Sequence, residues 1–228
     1  MTSVIAVANL AGGTHKTTAA HSLSVAVVEY GKKVLLIDLD PRAELTFNLG
    51  FEKSRSTIVE MLQGALLSQS NDITTDERFD FIGTDSRLAS LSDVTAFKTF
   101  LSALPDQYDV IIIDTPSHID SRMAMAMSAS DAIVIPTDSS IHSIRGALNT
   151  SKIESKAKKY ILPIDQFTDK HGANFSEAIV IDALIPRYND IDSAISQKRS
   201  VLTVEKSSDF AQAYREAAYS LLEHLKFF

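Results

Sequence analysis

Apolar runs that do not alternate with polar residues recur along the chain, at residues 4–8, 33–37, 79–83, 108–113, 132–136 and 178–186. Such runs are the mark of strands covered on both faces, as in a parallel sheet. Segments of helical period lie between them. Residues 17–29 place Ala20, Leu23, Val27 and Tyr30 on one stripe, and Gly31 follows as a stop. A short helix is predicted at 58–63. Another starts at Ser92 or Asp93 as cap and runs to Leu104, with Pro105 beyond it. Residues 123–130 and a long stretch from Ser139 or Ser140 to Lys159 also read as helix. So does 207–225, with Phe210, Tyr214, Ala217, Leu221 and Leu225 on one face. A polar loop is expected at 163–176. Strands alternating with helices at this spacing predict an α/β fold, a mostly parallel twisted sheet with helices on both faces, in one domain spanning 1–228.

The first strand runs directly into Leu10-Ala11-Gly12-Gly13-Thr14-His15-Lys16-Thr17-Thr18, and the first helix follows. Strand, Gly-containing loop, Lys-Thr and helix is the layout of a phosphate-binding loop. Its backbone N–H groups face the anion, the Lys reaches the terminal phosphates and a hydroxyl ligates Mg²⁺. The pattern G-x-x-x-x-G-K-[ST] wants Gly where Leu10 and His15 stand. The second strand ends in Asp38-Leu39-Asp40-Pro41, the end of a strand at which open α/β sheets bind ligands. The fourth, Tyr108-Asp109-Val110-Ile111-Ile112-Ile113-Asp114-Thr115-Pro116, has the form of a Walker B element, whose carboxylate holds the Mg²⁺ shell.

Composition narrows the classes. With 228 residues and 45% apolar content the chain can bury a substantial core. The absence of Cys excludes disulfides, thiolate metal sites and iron–sulfur clusters, and suits a reducing cytoplasm. No apolar run approaches the roughly 20 residues needed to cross a bilayer. The net charge of −7 means that any nucleic-acid contact has to come from a local basic patch.

The loop, Asp38-Leu39-Asp40-Pro41, Ile113-Asp114-Thr115-Pro116-Ser117, and Ile185-Pro186-Arg187-Tyr188 before a Tyr-containing last helix stand in an order that resembles the ParA/MinD family of deviant Walker-box ATPases. The resemblance covers nearly the whole chain and implies a P-loop NTPase fold. It further implies a cytoplasmic, nucleoid-associated homodimer that sandwiches two ATP molecules with Mg²⁺, binds nonspecific DNA in the ATP state and releases it on partner-stimulated hydrolysis. The family loop reads Lys-Gly-Gly-x-Gly-Lys-Thr-Thr. Its first Lys, which crosses to the partner's phosphates, is Ala11 here, and its third Gly is His15. Loss of that lysine with the rest intact is similar to the McdA-type ATPases that position carboxysomes, whose cargo-side partner is a small adaptor. A plasmid or chromosome partition ATPase would look much the same.

The resemblance implies roles residue by residue. Ala11, Gly12, Gly13, Thr14, His15, Lys16, Thr17 and Thr18 cradle the phosphates, with Lys16 at the γ-phosphate and Thr18 at the α-phosphate. Thr17, Asp38 and Asp114 serve Mg²⁺, and Asp40 orients the attacking water. Pro186, Arg187 and Tyr188 face the adenine. Arg145 and Lys152 lie two turns apart on the helix that the family places at the dimer face, and Lys152 is the candidate to replace the missing lysine in trans. Arg187, Lys198, Arg199, Lys206 and Arg215 are DNA candidates, whose phosphate contacts would be nonspecific and salt-sensitive. A membrane-surface switch is disfavoured, because residues 221–228 carry a single Lys. A scaffold that no longer hydrolyses ATP is the remaining alternative, motivated by Leu10, Ala11 and His15.

Overall fold

The computed structural model describes residues 2–67, 73–91 and 93–228. The seven strands are β1 (Ser3–Val7), β2 (Val34–Asp38), β3 (Asp80–Ile82), β4 (Val110–Asp114), β5 (Ala132–Thr137), β6 (Lys158–Pro163) and β7 (Ile179–Val180). They form one sheet in the order β3-β2-β4-β1-β5-β6-β7, and every pair is parallel. The helices are α1 (Lys16–Glu29), α2 (Glu44–Asn48), α3 (Ile58–Leu62), α4 (Val94–Ser102), α5 (Ser121–Ala129), α6 (Ile141–Ser151), α7 (Asp169–Gly172), α8 (Ile191–Ser196), α9 (Val201–Val204) and α10 (Asp209–His224).

Period-2 geometry divides each strand between two cores. Ile5, Val7, Leu36, Ile112 and Val134 face a layer built from α1, α9 and α10. Ala6, Leu35, Ile37, Ile111, Ile113 and Ile133 face the layer of α3, α4, α5 and α6. Helix α1 is buried along most of its length, from Ala19 to Val28, because it lies between the sheet and α10. That explains a helix with three valines, Val25, Val27 and Val28, within four residues: burial outweighs the mild helix cost of β-branched residues. Gly31 takes φ +77° directly after it, as the stop expected there.

Chain order sets the site. The crossover from β1 leads to β2 beyond β4, whereas that from β4 leads to β5 on the other side of β1. The loops leaving β1 and β4 therefore part in opposite directions, opening a crevice at the carboxyl ends of the two strands.

Several expected elements differ. The long helix to Lys159 ends at Ser151, and Lys158–Pro163 is strand β6, paired with β5 from Ala132 to Thr137. Tyr160, Ile161 and Leu162 are fully buried there, and their burial decides against helix. Lys159 is consequently no solvated helix lysine. Its ammonium donates to the carbonyls of Ser151 (2.6 Å) and Ile153 (2.9 Å) at the C-terminal end of α6, where a cation is favoured. The expected strand at 178–186 shrinks to Ile179–Val180 with an isolated bridge from Ile185 to Ile164. The polar loop contains α7, and α8 and α9 break what periodicity alone left unassigned. Asp93 caps α4 through Thr95 and Ala96; Ser92, the other candidate cap, lies outside the described residues.

A candidate nucleotide site at the β1–β4 crevice

The loop after β1 is held from behind. Asn9, fully buried, donates to the carbonyl of Pro136 (2.8 Å) and accepts from the Ala11 N–H (3.0 Å). Leu10 N–H donates to the Thr150 hydroxyl of α6 at 2.9 Å. Thr14 closes the loop with a bond to the Ala11 carbonyl at 3.1 Å. Gly146 permits this contact: a Cβ there would meet Asn9 Oδ1 at 2.3 Å and the Ala11 Cβ at 2.6 Å. Its signal in the sequence is a lone Gly inside a helical pattern. Gly146→Ala is expected to lower the melting temperature by roughly 5 °C or more through overpacking, the opposite sign to the usual helical gain from Gly to Ala. A thermal melt followed by circular dichroism checks it; an unchanged or higher midpoint would show that the loop does not press on α6.

The front of the loop is open. Nothing stands within 4 Å of a Cβ built on Gly12 or Gly13, and Gly13 has φ +70°. Among the described residues, no protein acceptor takes a hydrogen bond from the backbone N–H groups of residues 12–18, and no side chain caps α1. Unpaired N–H groups at a helix start form an anion site. His15 sits at φ +60°, ψ 24°, the left-handed region that Gly occupies without cost. The departure from the family pattern at this position therefore keeps the backbone shape and carries strain of order 1 kcal/mol.

Lys16 is 5% exposed. Its ammonium donates to the Ala11 carbonyl (3.0 Å) and to the Ser117 hydroxyl after β4 (2.9 Å). Burial pulls its pKa down, Asp114 and Asp40 oppose that, and Arg42 adds to it. Ser117, within the Asp-Thr-Pro-Ser stretch, is a site residue that motif reading left unassigned.

The acids converge from two strand ends, those of β2 and β4. Asp38 and Asp114 are direct partners in the β2–β4 register, and Asp114 likewise pairs with Val7. Asp38 accepts from the Asp40 N–H (3.0 Å), the Thr46 N–H (3.1 Å) and the Thr46 hydroxyl (2.8 Å). Even so, burial pushes its pKa up to about 7. Asp114 is 1% exposed, and neither carboxyl oxygen has a hydrogen-bond partner. Burial and then the Asp38 charge raise its pKa well above the carboxylate range; the Thr17 hydroxyl opposes this from outside hydrogen-bond geometry, as does Lys16. Asp40 is gripped by Arg42, with Nε at 3.0 and 3.2 Å and Nη2 at 2.7 Å.

A cavity of about 430 Å³ adjoins the loop, bounded by His15 and Thr18 on one side and by Pro186, Arg187 and Tyr188 on the other. Its volume suits a small organic ligand. Tyr188 packs its ring on Phe210, 5.2 Å between centroids. A cavity of similar size at the amino-terminal edge of the sheet, beside Val4 and Tyr108, lies at the far end of the strands from the loop.

Lys152 is the exposed C-terminal cap of α6, two residues past the Thr150 contact with Leu10. It does not lie within a longer helix as expected. The DNA candidates do not share one environment. Lys198 bonds the Phe47 carbonyl and lies over its ring, Arg199 pairs with Asp76 at 3.3 Å, and Arg215 is tied to Glu29 at 2.6 Å. Arg187 and Lys206 are exposed without an ion pair among the described residues.

Comparison with known proteins agrees with this architecture. Residues 2–163 match the AAA_31 family, described as an AAA domain. The chain is 28% identical over 250 residues to the sporulation initiation inhibitor protein Soj of Bacillus subtilis, covering 96% of this chain and 97% of Soj. It is 33% identical over 153 residues to the maintenance of carboxysome distribution protein A of Synechococcus elongatus, covering 63% and 61% of the two chains. The septum site-determining protein MinD from Pyrococcus horikoshii, solved with Mg-ADP, superposes with a TM-score of 0.84 at 22% identity, over 100% of this chain and 98% of that one. With residues 2–163 matched and the loop and acids arranged as above, the chain belongs to the AAA_31 family of ParA/MinD-type P-loop ATPases.

Proposed function

We propose that the chain hydrolyses ATP to ADP and phosphate with Mg²⁺, dimerises in the ATP state, and uses that cycle to position a cellular cargo over nonspecific DNA. One observation carries the reading: unpaired donors along residues 12–18 face the same crevice as the unpartnered, fully buried carboxylate of Asp114. The first set wants an anion and the second a cation, and a nucleotide with its magnesium supplies both. Among the described residues no three His, Cys, Asp or Glu side chains cluster as a metal cage. That suits Mg²⁺, which is bound by one or two protein oxygens together with phosphate oxygens and water. Thr17, Asp38 and Asp114 are its proposed holders. The metal would neutralise charge developing on the phosphoryl oxygens. Lys16 would leave the Ala11 carbonyl for the terminal phosphates, Asp40 would orient the attacking water, and Pro186, Arg187 and Tyr188 would enclose the base.

Support for a cargo-positioning role is the local similarity to the carboxysome distribution protein together with Ala11 in place of the family's lysine. The partner on that reading is a small adaptor on the cargo that stimulates hydrolysis. Chromosome or plasmid partition is the second reading, favoured by the full-length similarity to Soj. Arg187 and Lys206, free of ion pairs among the described residues, are the first DNA contacts to test. No helix of the described residues is long and apolar enough to cross a membrane.

The mass in solution tests the proposal. Light scattering is expected to move from 24.9 kDa to about twice that on adding Mg-ATP. Lys152→Ala is expected to abolish the shift while leaving nucleotide binding in place. A wild-type mass that does not change, with ATP bound, would replace the switch by a scaffold; an unchanged shift in the variant would remove Lys152 from the interface.

A further inference from the structure

We propose that Arg42 is a second cation for the terminal phosphates, acting in cis on the chain's own nucleotide, beside the charge that Lys152 would bring across the dimer in trans. The inference rests on the ATPase reading above and adds to it a residue that no motif identifies.

Arg42 follows Asp40 by two positions on the loop from β2 to α2. Its guanidinium grips Asp40 through three contacts of 2.7–3.2 Å. The two ends of this pair differ sharply in exposure: the Asp40 side chain is 5% exposed, the Arg42 side chain 63%. The arginine therefore holds Asp40 from the solvent side, and its stem is not packed into the core. Arg42 is favoured chiefly by Asp40 and least by Asp114, and its charge adds to the burial that lowers the Lys16 ammonium. The backbone at this point is fixed: Ala43 N–H closes a turn onto the Asp40 carbonyl at 2.8 Å, and Ala43 holds φ +56°. The side chain can swing while its Cα stays in place.

A guanidinium fork fits a carboxylate and a phosphate equally well. Lys16 and Arg42 are cations that stand beside Asp40 and Asp114 at this site. A nucleoside triphosphate laid on residues 12–18 brings several negative charges beside Lys16, and the phosphate competes with Asp40 for the fork. Transfer of Arg42 to the phosphate does two things together. It places a positive charge where hydrolysis builds negative charge, and it frees the Asp40 carboxylate to accept a hydrogen bond from water. At position 11, where the family has its lysine, this chain has a buried Ala close against Gly146 of α6. Ala11 brings no charge to the phosphates; Lys152 is the candidate in trans, and Arg42 is already present in cis beside Asp40.

The test compares wild type, Arg42→Ala and Arg42→Lys, with Lys16→Ala as control, in three readouts: steady-state phosphate release, dissociation constants for ADP and for a non-hydrolysable ATP analogue, and solution mass with that analogue. For Arg42→Ala, turnover is expected to fall about 10²-fold, as for loss of one preorganised transition-state donor. Its affinity for the analogue should fall at least 5-fold while that for ADP stays within 2-fold. Arg42→Lys, which keeps charge without the fork, is expected between the two. Unchanged or faster turnover in Arg42→Ala, with the preference for analogue over ADP intact, would overturn the proposal and leave Arg42 as a latch on Asp40. Failure of the ATPase reading looks different: wild type would bind no nucleotide, or would match Lys16→Ala. Folding of the Ala variant is checked by its melting curve, and Arg42→Lys keeps the test decisive if that variant is unstable.

Discussion

Lys16→Ala is expected to reduce ATP turnover by about 10³-fold or more and to abolish the ATP-dependent mass shift. The magnitude is that of a cation acting on the transferring phosphoryl group, where positioning and charge supply nearly all of the rate. The structure gives three reasons for choosing this residue. Its ammonium is buried, so its charge is little screened by water. It lies between the loop after β1 and the loop after β4, bonded to one residue of each. Burial disfavours its charged form, and a bound anion would offset that penalty. Phosphate release measured under saturating Mg-ATP checks the expectation. A variant that keeps a tenth of wild-type turnover would take Lys16 out of the reaction.

The sheet and the phosphate loop were legible because their signals are local. Residues 4–8, 108–113 and 132–136 are long β-branched apolar runs, and each is a strand within a residue or two of the expected ends. Gly31 and the Gly12-Gly13 pair mark backbone turns that the chain does make. Strand β6 was lost because Lys158 and Lys159 extend the charged face of α6 in sequence; only the pairing with β5 and the burial of Tyr160 reveal it. The motif acids came out of strand-end position alone. Their partners did not: Thr46 reaches Asp38 from α2, Ser117 reaches Lys16 from across the crevice, and Gly146 makes room for Ala11 from a helix far along the chain. The last two contacts are long-range, the first crosses a loop of irregular chain, and no periodicity encodes any of them. Arg42 was adjacent to the motif and still unread, because an arginine after Asp-Pro looks like an ordinary turn residue until its fork is seen on Asp40.

Asp114→Asn is expected to raise the stability of the nucleotide-free protein at pH 8 and to abolish its stabilisation by Mg-ATP. In the wild type two carboxyl groups share a buried site in direct register, and one has no hydrogen-bond partner for either oxygen. Both pKa values are raised, that of Asp38 to about 7. A group raised in the folded state binds protons more tightly there than in the unfolded chain, so its contribution to stability falls as pH rises. For Asp38 the loss begins near the unfolded value of about 4 and is complete above about pH 7. The full effect of such a pair is a few kcal/mol, and recovery of about 2 kcal/mol corresponds to roughly 4–8 °C in a chain of this size. The amide removes one acid and the repulsion it exerts on the other, so the variant should melt higher at pH 8 and show a shallower pH dependence between 5 and 8. With Mg-ATP the order should reverse, because the wild type gains the binding free energy and the variant lacks the carboxylate proposed to serve the metal. The same linkage predicts that Mg-ATP binding releases protons near pH 7, read by calorimetry in buffers of different ionisation enthalpy. A variant less stable than wild type at pH 8 without nucleotide would mean that Asp114 is already compensated in the empty site, and the case for a cation between Asp38 and Asp114 would fall with it.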